Sequence, residues 1–323
     1  MSHGSVSPIA RRIVAGPAVV FLAAGLAGCG GGTVGMGGGD DGKKPVAAAS
    51  SSSPSSSSPS SLPSSASAAP RTPQSASPAG PKSSAPAPVD APSDAPAADG
   101  PLRGKVVVVD PGHNIHNAEH SAEINRQVDI GTGSKECDTT GTETNSGYAE
   151  ATFSLDVAHR LRAILQSRGA KVVLTHDGDR PYGPCVTERA EIGNKAHGDA
   201  AISIHADGAE PGQRGFHVIL PAKVRGGAAD TAPIVEPSKE LGARVAGNFV
   251  KVTGSAPSNY IGHGTGLDTR GDLGGLNLST IPKVFIECGN MRDAQDAALL
   301  TDGDWREKAA QGIANGITDF LHG

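Results

Sequence analysis

Short apolar runs alternate with longer amphipathic segments over the last two thirds of the chain. Runs rich in β-branched residues are typical of strands buried on both faces of a mostly parallel sheet. They occupy residues 105–110, 171–176, 200–205, 215–220 and 283–287. Apolar residues at helical spacing predict helices at residues 149–168, 187–196, 238–253, 293–300 and 304–321. We therefore predict an α/β fold, a single domain with a mostly parallel twisted sheet covered by helices on both faces.

Residues 1–100 show no such periodicity and differ in composition from the rest. They contain 14 of the 24 prolines but, as Phe21, only one of the ten aromatic residues. A segment with so few large apolar side chains buries too little surface to offset the entropy lost on ordering. We therefore expect one folded domain over residues 101–323, although 323 residues alone would suggest two.

The leader begins with the layout of a secretory signal. Arg11 and Arg12 precede a short apolar segment that ends in Leu-Ala-Gly-Cys at residues 26–29. This ending resembles the lipobox of bacterial lipoproteins, which implies a signal peptide over residues 1–28 and a lipid on the thiol of Cys29. The alternative is an N-terminal helix that stays in the membrane.

Residues 29–100 are rich first in Gly and then in Ser, Pro and Ala. This composition predicts a disordered tether. The whole chain would then be exported, anchored by lipid to the outer face of the cytoplasmic membrane, and able to reach into the cell wall. An inert spacer is the other interpretation of the same segment.

The charge of the predicted domain argues against some partners. Residues 101–323 carry 22 Lys and Arg against 28 Asp and Glu, a net charge of −6. A nucleic-acid-binding domain would normally carry a basic patch, so we expect no nucleic acid partner. No glycine-rich phosphate-binding motif is present, so we expect no nucleotide site.

Three predicted strands lead into residues that can bind a metal or transfer a proton. His113 follows the first strand, His205 ends the third and Glu287 ends the last. Because the carboxyl ends of parallel strands meet at one edge of a sheet, these side chains should lie together. Two imidazoles and a carboxylate suit zinc, which also leaves a position for water. A second acid, Glu150, opens the first long helix, and residue types alone leave open which glutamate binds metal.

Four motifs around these residues occur in a recognisable order. They are VVVDPGH with His113, GYAE with Glu150, SIHAD with His205 and FIECGN with Glu287. As a set they resemble the zinc-dependent N-acetylmuramoyl-L-alanine amidases of the amidase-3 type, over about residues 104–321.

The resemblance implies one Zn²⁺ per chain, bound by His113, Glu150 and His205, with Glu287 as the catalytic acid and base. It also implies a hydrolase of peptidoglycan or muropeptides. The bond cleaved by zinc-activated water would be the amide between the lactyl group of N-acetylmuramic acid and L-alanine of the stem peptide. We expect a monomer.

Two other functions fit the same motifs. One is a zinc peptidase or carboxypeptidase that cuts within the stem peptide, and the other is a non-catalytic peptidoglycan-binding module with the same fold. The complete set of four residues favours the amidase, because a module that only binds would be expected to lose Glu287 or a metal ligand.

A polar segment, residues 114–149, separates the first two expected ligands and predicts a loop at the mouth of the site that contacts or gates substrate. His116 and His120 have the spacing of a ligand pair on a helix. The lack of apolar periodicity around them favours a loop without a second metal.

Two further residues are candidates for binding substrate. Arg270 lies among several glycines, which suggests a flexible loop in which it meets a stem-peptide carboxylate. Asn290 matches the family pattern after Glu287.

The cysteines divide by their surroundings. Cys137 and Cys185 lie in polar, Gly- and Pro-rich segments of a domain expected outside the cell, where disulfides persist, so we predict a bridge between them. Cys288 directly follows Glu287 and should be a buried thiol on the other face of the strand.

Overall fold

The computed structural model describes residues 99–323. The predicted signal peptide, the lipid site at Cys29 and the tether up to residue 98 lie outside these residues. Within residues 99–323, none of the helices combines the length and the apolar character needed to cross a bilayer.

The described residues form ten strands and seven α-helices. The strands are β1 (Val106–Pro111), β2 (Gln127–Asp129), β3 (Ser134–Glu136), β4 (Lys171–Leu174), β5 (Ala200–Asp207), β6 (His217–Pro221), β7 (Arg225–Gly226), β8 (Ala229–Asp230), β9 (Leu267–Arg270) and β10 (Lys283–Asn290). The α-helices are α1 (Ser121–Ile124), α2 (Glu150–Ser167), α3 (Val186–Lys195), α4 (Val235–Thr253), α5 (Gly274–Asn277), α6 (Ala294–Leu300) and α7 (Gly303–His322). Two short 3₁₀ helices span Asn117–Glu119 and Gly262–Gly264.

Six strands form the central sheet, in the order β4-β1-β5-β10-β6-β9. The β10–β6 pair is antiparallel and the other four pairs are parallel. Strands β2 and β3 form a separate hairpin, and β7 and β8 form another. The predicted α/β fold with a mostly parallel sheet is confirmed.

The two faces of the sheet are covered by different helices. On one face, α2 and α4 cover alternate strand residues such as Val107, Ile202 and Ile286, and α7 packs against both helices to complete the main apolar core. On the other face, α3 covers a smaller apolar cluster that includes Val108 and Ala201. Side chains alternate along a strand, so Asp110 and Ser203, which lie two residues after Val108 and Ala201, also face away from the main core.

The helix α2 is a clear example of how the sequence specifies an element. Its apolar stripe contains Phe153, Val157, Leu161 and Leu165, and all four are buried against the sheet. The helix ends at Ser167, shortly before a glycine with positive φ of the kind that terminates helices.

Some elements are absent from the sequence-based prediction. The strand β9 is one of them, and it places Arg270 at the end of an edge strand paired with β6 rather than in a flexible loop. The segment 114–149 contains α1, a 3₁₀ helix and the β2–β3 hairpin rather than loop alone. Hydrogen bonds from distant residues reach this segment: Gly183 N–H donates to Asn117, and the Asn277 amide donates to the Ile130 carbonyl between β2 and β3. Local periodicity does not reveal such contacts.

The predictions for the three cysteines of the described residues are confirmed. A disulfide joins Cys137 to Cys185 across 48 residues of chain and ties the residue after β3, within the 114–149 segment, to the start of α3. Cys288 is buried in the main core and has no disulfide partner within the described residues.

We expect the Cys137→Ser/Cys185→Ser double variant to lose about 2–4 kcal/mol of unfolding free energy, because the bridge restricts the unfolded chain. Urea denaturation of both proteins, with and without reductant, measures the effect. Reductant should destabilise the wild type and leave the double variant unchanged. A wild-type midpoint that does not respond to reductant would contradict the prediction.

Candidate metal centre and catalytic cleft

Three of the predicted site residues meet at the carboxyl edge of the sheet. His113 follows β1, Glu150 is the first residue of α2 and His205 lies near the end of β5. The Glu150 Oε1 atom lies 3.0 Å from His113 Nε2 and 2.9 Å from His205 Nδ1. One ligand atom from each of the three side chains lies within 4.8 Å of the other two.

This donor set fits a divalent metal. Two imidazole nitrogens and one carboxylate oxygen on one side of an ion are the ligands that zinc takes in catalytic sites with an open position. Within residues 99–323 this is the one group of at least three such side chains close enough to hold an ion. His116 and His120 do not belong to it.

The backbone and the ring of His113 are both held in place. Its φ of 62° lies in the left-handed region, which costs a non-glycine residue about 1 kcal/mol or more. Its Nδ1 lies 3.0 Å from the Thr139 carbonyl oxygen, which directs Nε2 toward Glu150. A hydrogen bond on the remote ring nitrogen is the usual way in which a protein orients a histidine ligand.

A buried network of charged side chains supports the backbone at His113. Arg189 donates from Nη2 to the His113 carbonyl oxygen at 2.8 Å and to Asp138 at 2.9 Å, and from Nη1 to Asp110 at 2.8 Å. Lys283 Nζ donates to the other oxygen of Asp110 at 3.0 Å. Burial alone would raise the pKa of Asp110, but the charges of Lys283 and Arg189 hold it well below its usual range.

The carboxylate of Glu150 is strongly favoured in its ionised form. Burial alone would raise its pKa, but His113 and His205 lower it far below the ordinary value. The backbone N–H groups of Thr142 and Ala206 also donate to its two oxygens, at 2.9 and 3.2 Å. An ionised carboxylate held between two imidazoles has the protonation state of a metal ligand.

Glu287 has the opposite environment. It pairs with His205 across β10 and β5, and its Oε2 is buried without a hydrogen-bond partner among the described residues. Burial raises its pKa well above the usual range, and the charges of Glu150 and Asp207 raise it further, against a smaller opposing effect of Arg270. Two carboxyl groups whose pKa values are driven apart are typical of a site with divided roles.

A cleft of about 400 Å³ contains the three clustered side chains and Glu287. Arg270 also lines it, and its guanidinium donates two hydrogen bonds to Asp272, at 2.9 and 2.7 Å. Lys135 donates to the same carboxylate at 3.2 Å. Hydrogen bonding to Arg270 lowers the pKa of Asp272 to about 2.

The structure contradicts the prediction that Asn290 binds substrate. The side chain is fully buried, and its amide group donates to the carbonyl oxygens of Ala209, Glu210 and Gln213. These bonds use its donors to hold the backbone turn after β5. Asn290 is therefore a structural residue of the loop beside the site.

Sequence reasoning missed two side chains that support site residues. Phe285 stacks on the His205 ring, with centroids 5.2 Å apart, and Tyr260 donates to Asp207 at 2.7 Å. The alternation of β10 could have revealed Phe285, because it lies two residues before Glu287 and so shares its face. Tyr260 lies in a segment without a regular hydrophobic pattern, so nothing in the sequence indicated that it contacts Asp207.

Comparison with known proteins gives a consistent picture. A family model described as N-acetylmuramoyl-L-alanine amidase matches residues 107–319. The N-acetylmuramoyl-L-alanine amidase Rv3717 of Mycobacterium tuberculosis is 40% identical over 230 residues, which cover 71% of this chain and 91% of that protein.

Two solved structures are similar throughout their length. The N-acetylmuramyl-L-alanine amidase Ami1 of Mycobacterium smegmatis has 39% identity and a TM-score of 0.62, over 68% of this chain and 98% of that one. The apo form of Ami1 from Mycobacterium abscessus has 40% identity and a TM-score of 0.62, over 68% of this chain and 100% of that one.

Proposed function

Because the chain belongs to the amidase-3 family of N-acetylmuramoyl-L-alanine amidases, we propose that it is a zinc-dependent peptidoglycan hydrolase. It would cleave the amide between the lactyl group of N-acetylmuramic acid and L-alanine of the stem peptide. The observation that carries the proposal is the Glu150 carboxylate held between His113 and His205, in the same cleft as the buried Glu287 Oε2, which has no hydrogen-bond partner among the described residues.

We assign metal binding to three of the site residues and proton transfer to the fourth. His113, Glu150 and His205 would hold one zinc ion, which supplies a Lewis acid that polarises the scissile carbonyl and acidifies the attacking water. Glu287 would take a proton from that water and deliver it to the leaving amine nitrogen of L-alanine. A carboxyl group with a raised pKa suits both steps, because its carboxylate is a stronger base toward the water and its protonated form can still donate to the leaving amine.

Other side chains would keep this geometry and bind substrate. Arg189 holds the backbone of His113, and Phe285 holds the ring of His205. Arg270 and Lys135, both paired with Asp272, would offer a positive edge to a carboxylate of the stem peptide. We also propose that the leader exports the domain and anchors it through Cys29, so that it acts in the cell wall.

Digestion of purified peptidoglycan is the direct test. We expect new free lactyl carboxyl groups and new N-terminal L-alanine, identified by mass spectrometry of the released fragments. New ends within the stem peptide would instead identify a peptidase, and the absence of any new end would identify a binding module. Either of these results would overturn the proposal.

We expect Glu150→Gln to abolish stoichiometric zinc binding, because an amide nitrogen or neutral oxygen replaces the ionised ligand. The zinc Kd should rise by more than the roughly 10- to 100-fold that removal of an outer-shell partner causes. Zinc content after chelation, reloading and desalting is measured by mass spectrometry. Glu191→Gln, which alters an exposed carboxylate paired with Lys195, is the control and should still bind one zinc per chain. Full zinc retention in Glu150→Gln would remove this residue from the ligand set.

A further inference from the structure

A second cavity, of about 470 Å³, adjoins the cleft that holds the clustered side chains. We call it the threonine-lined groove and define it by Ile115, Ala118, Thr140, Thr142 and Thr152. It lies between the segment after β1, the segment before α2 and the first turn of α2 itself.

One short segment separates the groove from the cleft. Gly141 and Thr142 line both cavities. The backbone N–H of Thr142 donates to Glu150 at 2.9 Å, and a Cβ atom at Gly141 would lie 2.7 Å from side-chain atoms of both Glu150 and His113. The segment that separates the two cavities therefore contacts Glu150 and His113, two of the expected metal ligands, directly.

The cavities differ in whether they offer a cation to a ligand. The cleft is lined by three basic side chains, Lys135, Arg189 and Arg270, among a larger number of acidic ones that includes Asp272 and Glu287. Among the described residues that line the groove, Glu143 alone carries a charge, and apart from the amide of Asn114 the rest are small, hydroxyl-bearing or aliphatic. The groove therefore offers no cation to an anionic ligand.

The two sides of the scissile bond differ in the same way. The stem peptide carries free carboxylates, whereas the muramyl sugar is uncharged once its lactyl carboxyl is part of an amide. Because the reacting carbonyl must lie at the metal ligands, the substrate has to extend to both sides of them. An amphipathic pyranose, with apolar C–H faces and hydroxyl edges, matches a groove without cations that is lined by threonines, alanines and Ile115.

Ile115 is the most specific sign of a ligand in this groove. It is 45% exposed, and within residues 99–323 only one other large hydrophobic side chain, Val250 at 39%, is classed as exposed. We propose that the threonine-lined groove binds the N-acetylmuramic acid residue, with Ile115 under its apolar face, and that the cleft binds the stem peptide. The inference rests on the proposed amidase function.

The test compares two substrates and two matched variants. The first substrate is N-acetylmuramoyl-L-alanyl-D-isoglutamine, and the second carries a D-lactoyl group in place of the sugar acid. For Ile115→Asn we expect kcat/KM to fall about tenfold on the first substrate, through KM, and to change less than twofold on the second. Val250→Asn likewise replaces an exposed aliphatic side chain by asparagine, on α4 and away from both cavities, and should change neither value.

Each other outcome has a definite meaning. An equal loss on both substrates would place Ile115 outside sugar binding, and no loss on either would place the sugar elsewhere, so both would overturn the inference. Thr152→Val removes an exposed hydroxyl without changing size, and the same criteria apply to it if Ile115→Asn does not fold. If the wild type releases no lactyl product from the first substrate, the proposed function itself fails and the inference falls with it.

Discussion

Replacement of Glu287 by glutamine is expected to lower kcat for the muramyl peptide by about 10³-fold while zinc remains bound, since general acid and base groups contribute roughly 10²–10⁴-fold. The amide keeps the shape of the carboxyl group but can neither take a proton from water nor pass one to the leaving amine. Turnover of N-acetylmuramoyl-L-alanyl-D-isoglutamine and zinc content, both measured on the same preparation, check the prediction.

The fold should survive this substitution. The buried carboxyl has a raised pKa, so in the metal-free protein it favours the folded state at low pH, and this contribution is lost as the pH rises through the folded-state pKa. Because glutamine does not ionise, the variant does not lose this folding stability as the pH rises. Thermal unfolding of the metal-free proteins at pH 8 should therefore show the variant to be at least as stable as the wild type.

Two results would change the assignment of Glu287. Loss of less than tenfold would mean that another group transfers the proton. Loss of zinc together with activity would make Glu287 a ligand, and its role would then have to be exchanged with that of Glu150. Glu191→Gln, altered on the surface of α3, serves again as the control and should keep full activity.

The parts of the fold that sequence reasoning found are those with a strong local signal. Strands β1, β5 and β10 are continuous apolar runs, and each leads directly into a site residue, so their common edge predicted where His113, His205 and Glu287 meet. Strand β9 has one apolar residue among its four and is defined by pairing with β6, so its sequence carried no comparable signal.

The roles of individual polar side chains depended on contacts that no local pattern contains. Asn290 matched the family motif, but the pairing of β10 with β5 shifts register between Glu287 and Asn290, and the sequence does not show where a side chain points after such an irregularity. The partners of Asp110 are equally remote, since Arg189 is 79 residues away in the chain and Lys283 is 173.

Those remote partners make Asp110 the position with the largest expected effect on stability. Asp110 is 2% exposed and is the anion between two buried cations, Lys283 and Arg189. We expect Asp110→Asn to lower the unfolding free energy by about 3–5 kcal/mol, because removing one member of a buried ion pair leaves the remaining charge uncompensated. Urea denaturation of the zinc-loaded proteins at pH 7 measures the loss.

The contribution of Asp110 to folding stability should decrease at acidic pH. The pKa of Asp110 is lowered in the folded state, so its contribution is present above the unfolded-state pKa and is lost as the pH falls through the folded value. The stability difference between wild type and Asp110→Asn should accordingly be largest near neutral pH and shrink in acid. A difference that does not change between pH 7 and pH 3 would contradict an ionised Asp110.

A double-mutant cycle separates the ion pair from general damage to the core. Lys283→Met removes one cation, and combined with Asp110→Asn it leaves the protein without the uncompensated lysine, so the double variant should lose at least about 1 kcal/mol less than the sum of the single losses. Strict additivity would mean that the two groups do not interact. Because Arg189 joins Asp110 to the His113 carbonyl, we also expect Asp110→Asn to weaken zinc binding, whereas a network that only filled the core would leave the zinc Kd unchanged.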